Sequence, residues 1–482
     1  MTLRLMAYAL TAGVWTQTLA ASQPLRLNPE NPHYFLFRDC PTVIITSGEH
    51  YGAVLNLDFD YSKYLKTLEH AGLNGTRTWS GAYCEPTTAF SIASNTLAPM
   101  PGRFICPWAR STQPGYFNGG NKFDLNAWDP AYFKRLKHFV SEAGKRGVIV
   151  ELNLFCPFYD ETMWELSPMN ARNNVNGIGE VERTNVYTLD RNGPLLGVQE
   201  NMVRKIVTEL KDFDNVYYEI CNEPYFGGVT LEWQRRIADI ITETELPLRV
   251  RHLISQNIAN DKAFVQNPHP EVSILNFHYA TPPETVAMNY GLNCVIGDNE
   301  TGFRGTNDSA YRMEAWDFIV AGGGLFNNLD YSFTTRHENG TFVYPATQPG
   351  GGSTELRRQL KFLAGTIRSL DFVHMQPANQ ALKTQLPPGA SARVLVRAGE
   401  DYLVYLHGPK DGPNGGRSSY REGEISLGLA LPSGEFEAKW LDPIACCPCG
   451  RSQFTHWEGV REFSVPAFQD DIALLVRKRM AK

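Results

Sequence analysis

A chain of 482 residues exceeds what one hydrophobic core usually organises, so a large domain with a smaller companion is expected. Hydrophobic residues at 43% and charged residues at 20% describe an ordinary globular protein, and no apolar run beyond the N-terminus is long enough to span a bilayer. A net charge of -6 without a block of Lys and Arg excludes the electrostatic footprint of a nucleic-acid or anionic-membrane binder.

Arg4, the apolar stretch 5–15 and the small residues Thr18-Leu19-Ala20-Ala21 read as an export signal over residues 1–21, which predicts a secreted or periplasmic protein. A disordered or strand-forming N-terminus is the alternative. The 9 cysteines are scattered, so at least one thiol stays outside any intramolecular pairing. Cys84 and Cys106 flank a loop and could pair. Cys446, Cys447, Cys449 and His456 superficially offer zinc ligands but lack a second pair at finger spacing, and neither a metal nor a cofactor is expected.

From residue 42 onward, short β-branched runs alternate with amphipathic ones, the pattern of a parallel sheet wrapped in helices. Eight strands are predicted, at 42–46, 75–79, 148–155, 216–221, 252–255, 273–279, 294–298 and 325–331. Between them, helices are predicted at 61–71, 130–146, 196–211, 230–245 and 311–321. Eight such units close into a (β/α)₈ barrel, an α/β fold whose catalytic side chains gather at the C-terminal ends of the strands. After residue 372, helix-length runs give way to short strands at 392–398, 401–407, 424–431, 436–441, 460–465 and 472–477, separated by Gly- and Pro-rich turns, as in an antiparallel β-sandwich. The expected domains are therefore 22–376 and 377–482.

Two strands end in carboxylates. Val216 to Cys221 runs into Asn222-Glu223-Pro224, where Pro224 cannot continue a ladder and leaves Glu223 at the barrel mouth. Aromatic neighbours there would favour the neutral carboxyl that a general acid needs. The seventh strand ends similarly in Asp298-Asn299-Glu300, across the barrel from the fourth. Two carboxyls about 5 Å apart can flank a glycosidic bond, Glu300 attacking the anomeric carbon and Glu223 serving as acid and then base. His50 and Glu49, in the segment Gly48-Glu49-His50-Tyr51-Gly52 after the first strand, could line a sugar subsite, as could Asn153 on the third. His278 and Tyr279 point to opposite faces if the strand stays regular, which would let only one of them enter; both are nonetheless expected to neighbour the site, Tyr279 being the better hydrogen-bond partner for Glu300. Trp79, Tyr83, Trp108 and Tyr116 are candidate stacking platforms. A glycan on the Asn299 sequon would obstruct the site, so that sequon is expected to stay unmodified.

Asn222-Glu223-Pro224, Glu300 and Asn74-Gly75-Thr76-Arg77 resemble clan A of the glycoside hydrolases, the group containing family 5 cellulases and mannanases. Within it the arrangement is similar to the apiosidase-like proteins, whose barrel is followed by a sandwich. The resemblance implies a retaining hydrolase acting on an oligosaccharide or polysaccharide, with Arg77 steadying the nucleophile and Asn222 contacting the sugar 2-hydroxyl. Asn153 stands where His is common in family 5, and strand eight lacks a terminal Trp. A barrel that binds carbohydrate without cleaving it, or an adhesion protein, is the competing reading.

Overall fold

The computed structural model describes residues 23–409 and 418–479; the predicted export segment lies outside them. Eight strands form one parallel sheet: β1 Ile44–Gly48, β2 Gly75–Trp79, β3 Ile149–Phe155, β4 Val216–Cys221, β5 Ile254–Asn260, β6 Val272–His278, β7 Val295–Thr301 and β8 Leu325–Leu329. Their order, β1-β8-β7-β6-β5-β4-β3-β2, runs round a nearly closed barrel. The ladder is missing between β1 and β2, and side chains bridge that seam. Thr46 Oγ1 donates to Gly75 O at 2.6 Å, and the Asn74 amide accepts from Ile45 N and donates to Val43 O. Gly75 is required there, because a Cβ would stand 2.6 Å from Ile44.

Around the barrel lie α1 Tyr61–His70, α2 Pro130–Lys145, α3 Leu195–Leu210, α4 Leu231–Glu245, α5 Glu284–Asn289, α6 Asp308–Val320 and α7 Thr354–Arg368. Their starts follow from capping: Asp60, Asp129, Thr230, Asn307 and Ser353 each accept a backbone N–H of the first turn. The N-terminal residues Leu25, Phe35 and Phe37 pack with Ile44, Ile149, Ile274, Val295 and Leu325, the starts of five barrel strands. A small antiparallel sheet, Arg26–Leu27, Phe35–Phe37 and Cys40–Thr42, therefore plugs the bottom of the barrel and leaves the opposite end for chemistry.

The C-terminal layer is an antiparallel sheet of β9 Ser391–Arg397, β10 Asp401–His407, β12 Gly434–Asp442, β13 Cys447–His456 and β15 Asp471–Lys478, with Gln376–Pro377 on one edge; β11 Ser426–Leu431 pairs separately with β14 Gly459–Ser464. The sheet has two apolar faces. Val394, Val404 and Leu474 pack with Leu427, Leu429 and Phe463 of the β11–β14 pair, whereas Leu395, Leu403, Tyr405 and Leu475 join the core of the barrel domain. All of β10 is buried as a result. On the barrel side α6 is buried from Tyr311 to Val320. Arg312 binds Asp471 at 2.7 Å, Trp316 stacks on Tyr405, and Asp317 faces Arg393 at 3.2 Å. Strand β13 was not predicted, since its mostly exposed residues carry no apolar alternation. Cys447 and Cys449 are exposed thiols on it, and Cys84 and Cys106 are separate buried thiols rather than a pair, the first against Tyr116 and the second donating to Trp108 O.

Candidate active site

At the C-terminal ends of the strands, a cavity of about 280 Å³ is lined by His50, Tyr51, Trp79, Glu85, Tyr159, Asn222, Glu223, Tyr279 and Glu300, with Asn260, Phe90, Phe226 and Phe303 towards its mouth. Glu223 follows β4 with φ at +34°, a left-handed conformation rare for a side chain of this size, immediately before Pro224. The turn aims its carboxylate inward. Oε2 accepts from Tyr159 OH, and Oε1 lies 3.3 Å from Tyr225 OH and 3.2 Å from His278 Nδ1.

Glu300, near the end of β7, accepts from Tyr279 OH at 2.7 Å on Oε1, and from Tyr51 OH at 2.8 Å and Arg77 Nη1 at 3.0 Å on Oε2. His278 Nδ1 sits between the two acids, 3.5 Å from Glu300 Oε1. Among the described residues, Glu223, His278 and Glu300 form a group of acid and imidazole side chains whose nearest atoms all lie within 4.8 Å of one another. Three such atoms could in principle hold a cation. Here the Arg77 guanidinium already supplies positive charge at 3.0 Å from Glu300, and phenols and the imidazole occupy the carboxylate oxygens, so the donor set suits two facing acids better than an ion.

A regular strand would send His278 and Tyr279 to opposite faces. Both side chains reach the carboxylates, because the register of β6 against β7 shifts after Phe277 and Tyr279 takes φ at +54°, which breaks the alternation that would send one of them outward. The expected rise in the Glu223 carboxyl is corrected. Burial, the largest single influence, pushes it up, but the hydrogen bond and charge of His278 together with the Tyr159 and Tyr225 phenols outweigh burial and hold it below the ordinary carboxylate range.

Beneath the cavity lies a buried polar web. Arg77 donates to Glu151 at 2.9 Å, to Asn222 Oδ1 at 2.7 Å and to Glu219, besides Glu300. Burial, then repulsion by Glu219, drives the Glu151 carboxyl well above its ordinary value. Glu219 is pushed up by burial but brought below its ordinary value by Arg77, Glu151, His278 and Asn276. The web thus sets the Arg77 guanidinium among the carboxyl groups of Glu151, Glu219 and Glu300. Asn299 donates into it, to Glu151 at 2.7 Å and Glu219 at 2.8 Å, and is fully buried, so its sequon has no amide to offer a glycan. Asn222 turns its nitrogen to Tyr159 OH at 2.9 Å.

Of the other candidates, His50 lines the cavity beside Glu85, 3.3 Å away; burial opposes its protonation, but Glu85 and then Glu300 outweigh it and raise the imidazole. Glu49 does not reach the cavity. Its carboxylate is consumed by its own loop, accepting from Gly52 N, Ala53 N and Thr96 Oγ1, and burial pushes it up to about 7. Asn153 is buried behind Trp79 in the neighbouring strand and is not part of the cavity wall. Trp79 lines the cavity; Tyr83 stands behind it with its OH on Glu85, and Trp108 and Tyr116 are core packing. Sequence reasoning missed Tyr51, Glu85, Tyr159, Tyr225 and the three Phe rings. Only Tyr51 lay in a segment already singled out.

Residues 71–259 match the family model for cellulase (glycosyl hydrolase family 5). This match, on such a barrel, supports a glycosidase and is consistent with clan A. Among solved structures, a protein of Bacteroides vulgatus ATCC 8482 provisionally assigned as a glycoside hydrolase is 16% identical, with 95% of this chain and 83% of that chain covered at a TM-score of 0.66. A glycoside hydrolase family 5 structure from the same organism is 14% identical over 94% of this chain and 93% of that chain, with a TM-score of 0.61. At these identities the likeness is one of fold, and it spans both the barrel and the sandwich. No curated protein sequence matches the chain significantly.

Proposed function

We propose that the protein is a secreted or periplasmic retaining glycosidase that cleaves an O-glycosidic bond of an oligosaccharide or polysaccharide of plant or microbial origin by double displacement. The observation that carries the reading is the closeness of the two acids: one oxygen of each lies within 4.8 Å of the other, a spacing that suits a retaining enzyme, whose carboxyls stand about 5 Å apart, better than an inverting one at roughly 6.5–9.5 Å. Glu300, held by Tyr51, Tyr279 and Arg77, is the nucleophile; Glu223 gives its proton to the leaving oxygen and takes one from water in the second step. His278 touches both and keeps them in register. Asn222, fixed by Arg77 and Tyr159, offers its amide towards the sugar.

A 2-fluoro glycoside with a good leaving group should stall as an ester on Glu300, read by peptide mass spectrometry, and the first-formed sugar should keep its anomeric configuration by NMR. A label on another carboxylate, or an inverted product, defeats the mechanism. Absence of any turnover that disappears in Glu300→Ala would favour a barrel that binds sugar without cleaving it. Export is tested by the N-terminus of the protein recovered outside the cytoplasm, which should begin close to Ser22.

A further inference from the structure

We infer that the cavity is a pocket for one terminal sugar, entered from a chain end, and that Glu85 and His50 read the hydroxyls of that sugar remote from the scissile bond. The inference rests on Glu223 and Glu300 being the reacting pair. It begins with the mouth. Tyr279 packs edge-on against Phe303 with centroids 6.3 Å apart, Phe303 against Phe90 at 6.1 Å, Phe90 against Tyr159 at 5.4 Å, Tyr159 against Phe226 at 5.8 Å, and Phe226 against Tyr225 at 5.0 Å. These six rings, contributed by the loops after β2, β3, β4, β6 and β7, form a connected collar.

An enzyme that cuts within a chain needs a groove open at both ends, and a collar drawn from five loops closes one of them. The loop after β2 is bent to supply its share: Phe90, Ser91 and Ser94 all take positive φ, an uncommon conformation that brings the Phe90 ring over the cavity although 40% of it remains exposed. The enclosed volume of about 280 Å³ falls just below the roughly 300–1,000 Å³ of ordinary small-molecule sites, room for one sugar ring and its hydroxyls.

The polar groups inside the collar lie where a terminal sugar would present its hydroxyls. Glu85 is 4% exposed yet lines the cavity; it accepts from Tyr83 OH at 3.2 Å, Asn95 Nδ2 at 2.5 Å and His50 Nε2 at 3.3 Å, and two carboxylate oxygens have capacity for a further donor. His50 Nδ1 is buried without a hydrogen-bond partner. An acceptor beside an unpaired ring nitrogen matches neighbouring hydroxyl groups, and a sugar chain continuing in that direction would meet the Glu85–Asn95–Tyr83 cluster instead of solvent. On the other side Pro224 and Tyr225, next to Glu223, border a second hollow of about 280 Å³ whose wall includes Gln234 and Gln256, a place for the rest of the substrate.

The experiment first finds, among 4-nitrophenyl glycosides of single sugars, one whose turnover disappears in Glu300→Ala. Oligomers of that sugar, fluorescently labelled at the reducing end, should then shorten by one residue at a time with only monosaccharide released. Internal fragments appearing early would overturn the pocket while leaving the reacting pair intact; no Glu300-dependent turnover on any glycoside would overturn the pair itself and the inference with it. For Glu85, monodeoxy versions of the active nitrophenyl glycoside are compared in wild type and Glu85→Ala. Wild type should lose at least tenfold in kcat/KM at one or two positions, and Glu85→Ala should lose similarly on the parent sugar but little more on those same deoxy sugars. Additive losses at every position would remove Glu85 as a reader.

Discussion

Replacing Arg77 by Met tests the web beneath the site. The guanidinium is 2% exposed and donates to Glu151, Glu219 and Glu300; its loss leaves these buried carboxyls with hydroxyl and amide donors and the His278 imidazole. Breaking a buried ion pair by removing one partner costs about 3–5 kcal/mol, a fifth or more of a typical domain's stability of roughly 5–15 kcal/mol. The pH dependence should change sign as well. In the wild type the lowered Glu219 carboxyl contributes stability above its unfolded value, and that contribution fades as pH falls through the folded value. In Arg77→Met, burial without the cation raises the same carboxyl, so the native state holds the extra proton and stability falls as pH rises. Urea unfolding of both proteins at several pH values between 4 and 7 reads this directly, the variant's deficit being largest at pH 7. A deficit below about 1 kcal/mol, or one that is the same at every pH, would refute the claim that Arg77 is the counter-charge of the web.

Because His278 is the chief influence holding the Glu223 carboxyl down, His278→Gln should move the basic limb of kcat/KM to higher pH; an unmoved limb, or one shifted to lower pH, would detach Glu223 from His278 or from the role of acid. Ending the chain at residue 376 should give an aggregating protein, because the cut bares Trp316, which stacks on Tyr405, and strands Arg312 and Asp317 without Asp471 and Arg393. A soluble fragment with wild-type chemistry would show the sandwich to be a dispensable appendage.

The barrel was legible because its strands are buried on both faces and stand out as β-branched runs between mostly amphipathic helices, five of whose starts carry a capping side chain. The plug under the barrel and strand β13 were not, since two- and three-residue strands and an exposed edge leave no periodic trace. Helix α6 shows the limit in another form: buried from Tyr311 to Val320 between two domains, it has no polar face, and its pattern cannot say which neighbour covers which side.

The site divides along the same physical line. Glu223, Glu300, Arg77 and Asn222 sit on or just beyond regular strands, where the period of two tells which residues face the barrel axis. Tyr279 and Glu223 depart from that period through positive φ, and so both His278 and Tyr279 arrive at the carboxylates although a regular strand would part them. Glu85, Tyr159 and Phe90 come from loops, where no period constrains direction and only contacts such as Tyr159 on Glu223 and His50 on Glu85 disclose their place. On the proposed reading the labour is divided: strands carry the two acids and their counter-charge, which a glycosidase needs whatever its sugar, while loops carry the collar and the Glu85 cluster, where the choice of sugar would be made. Recognition of the chemistry from the strands can therefore be secure while the substrate stays open, because the two are encoded in parts of the chain with different physical regularity.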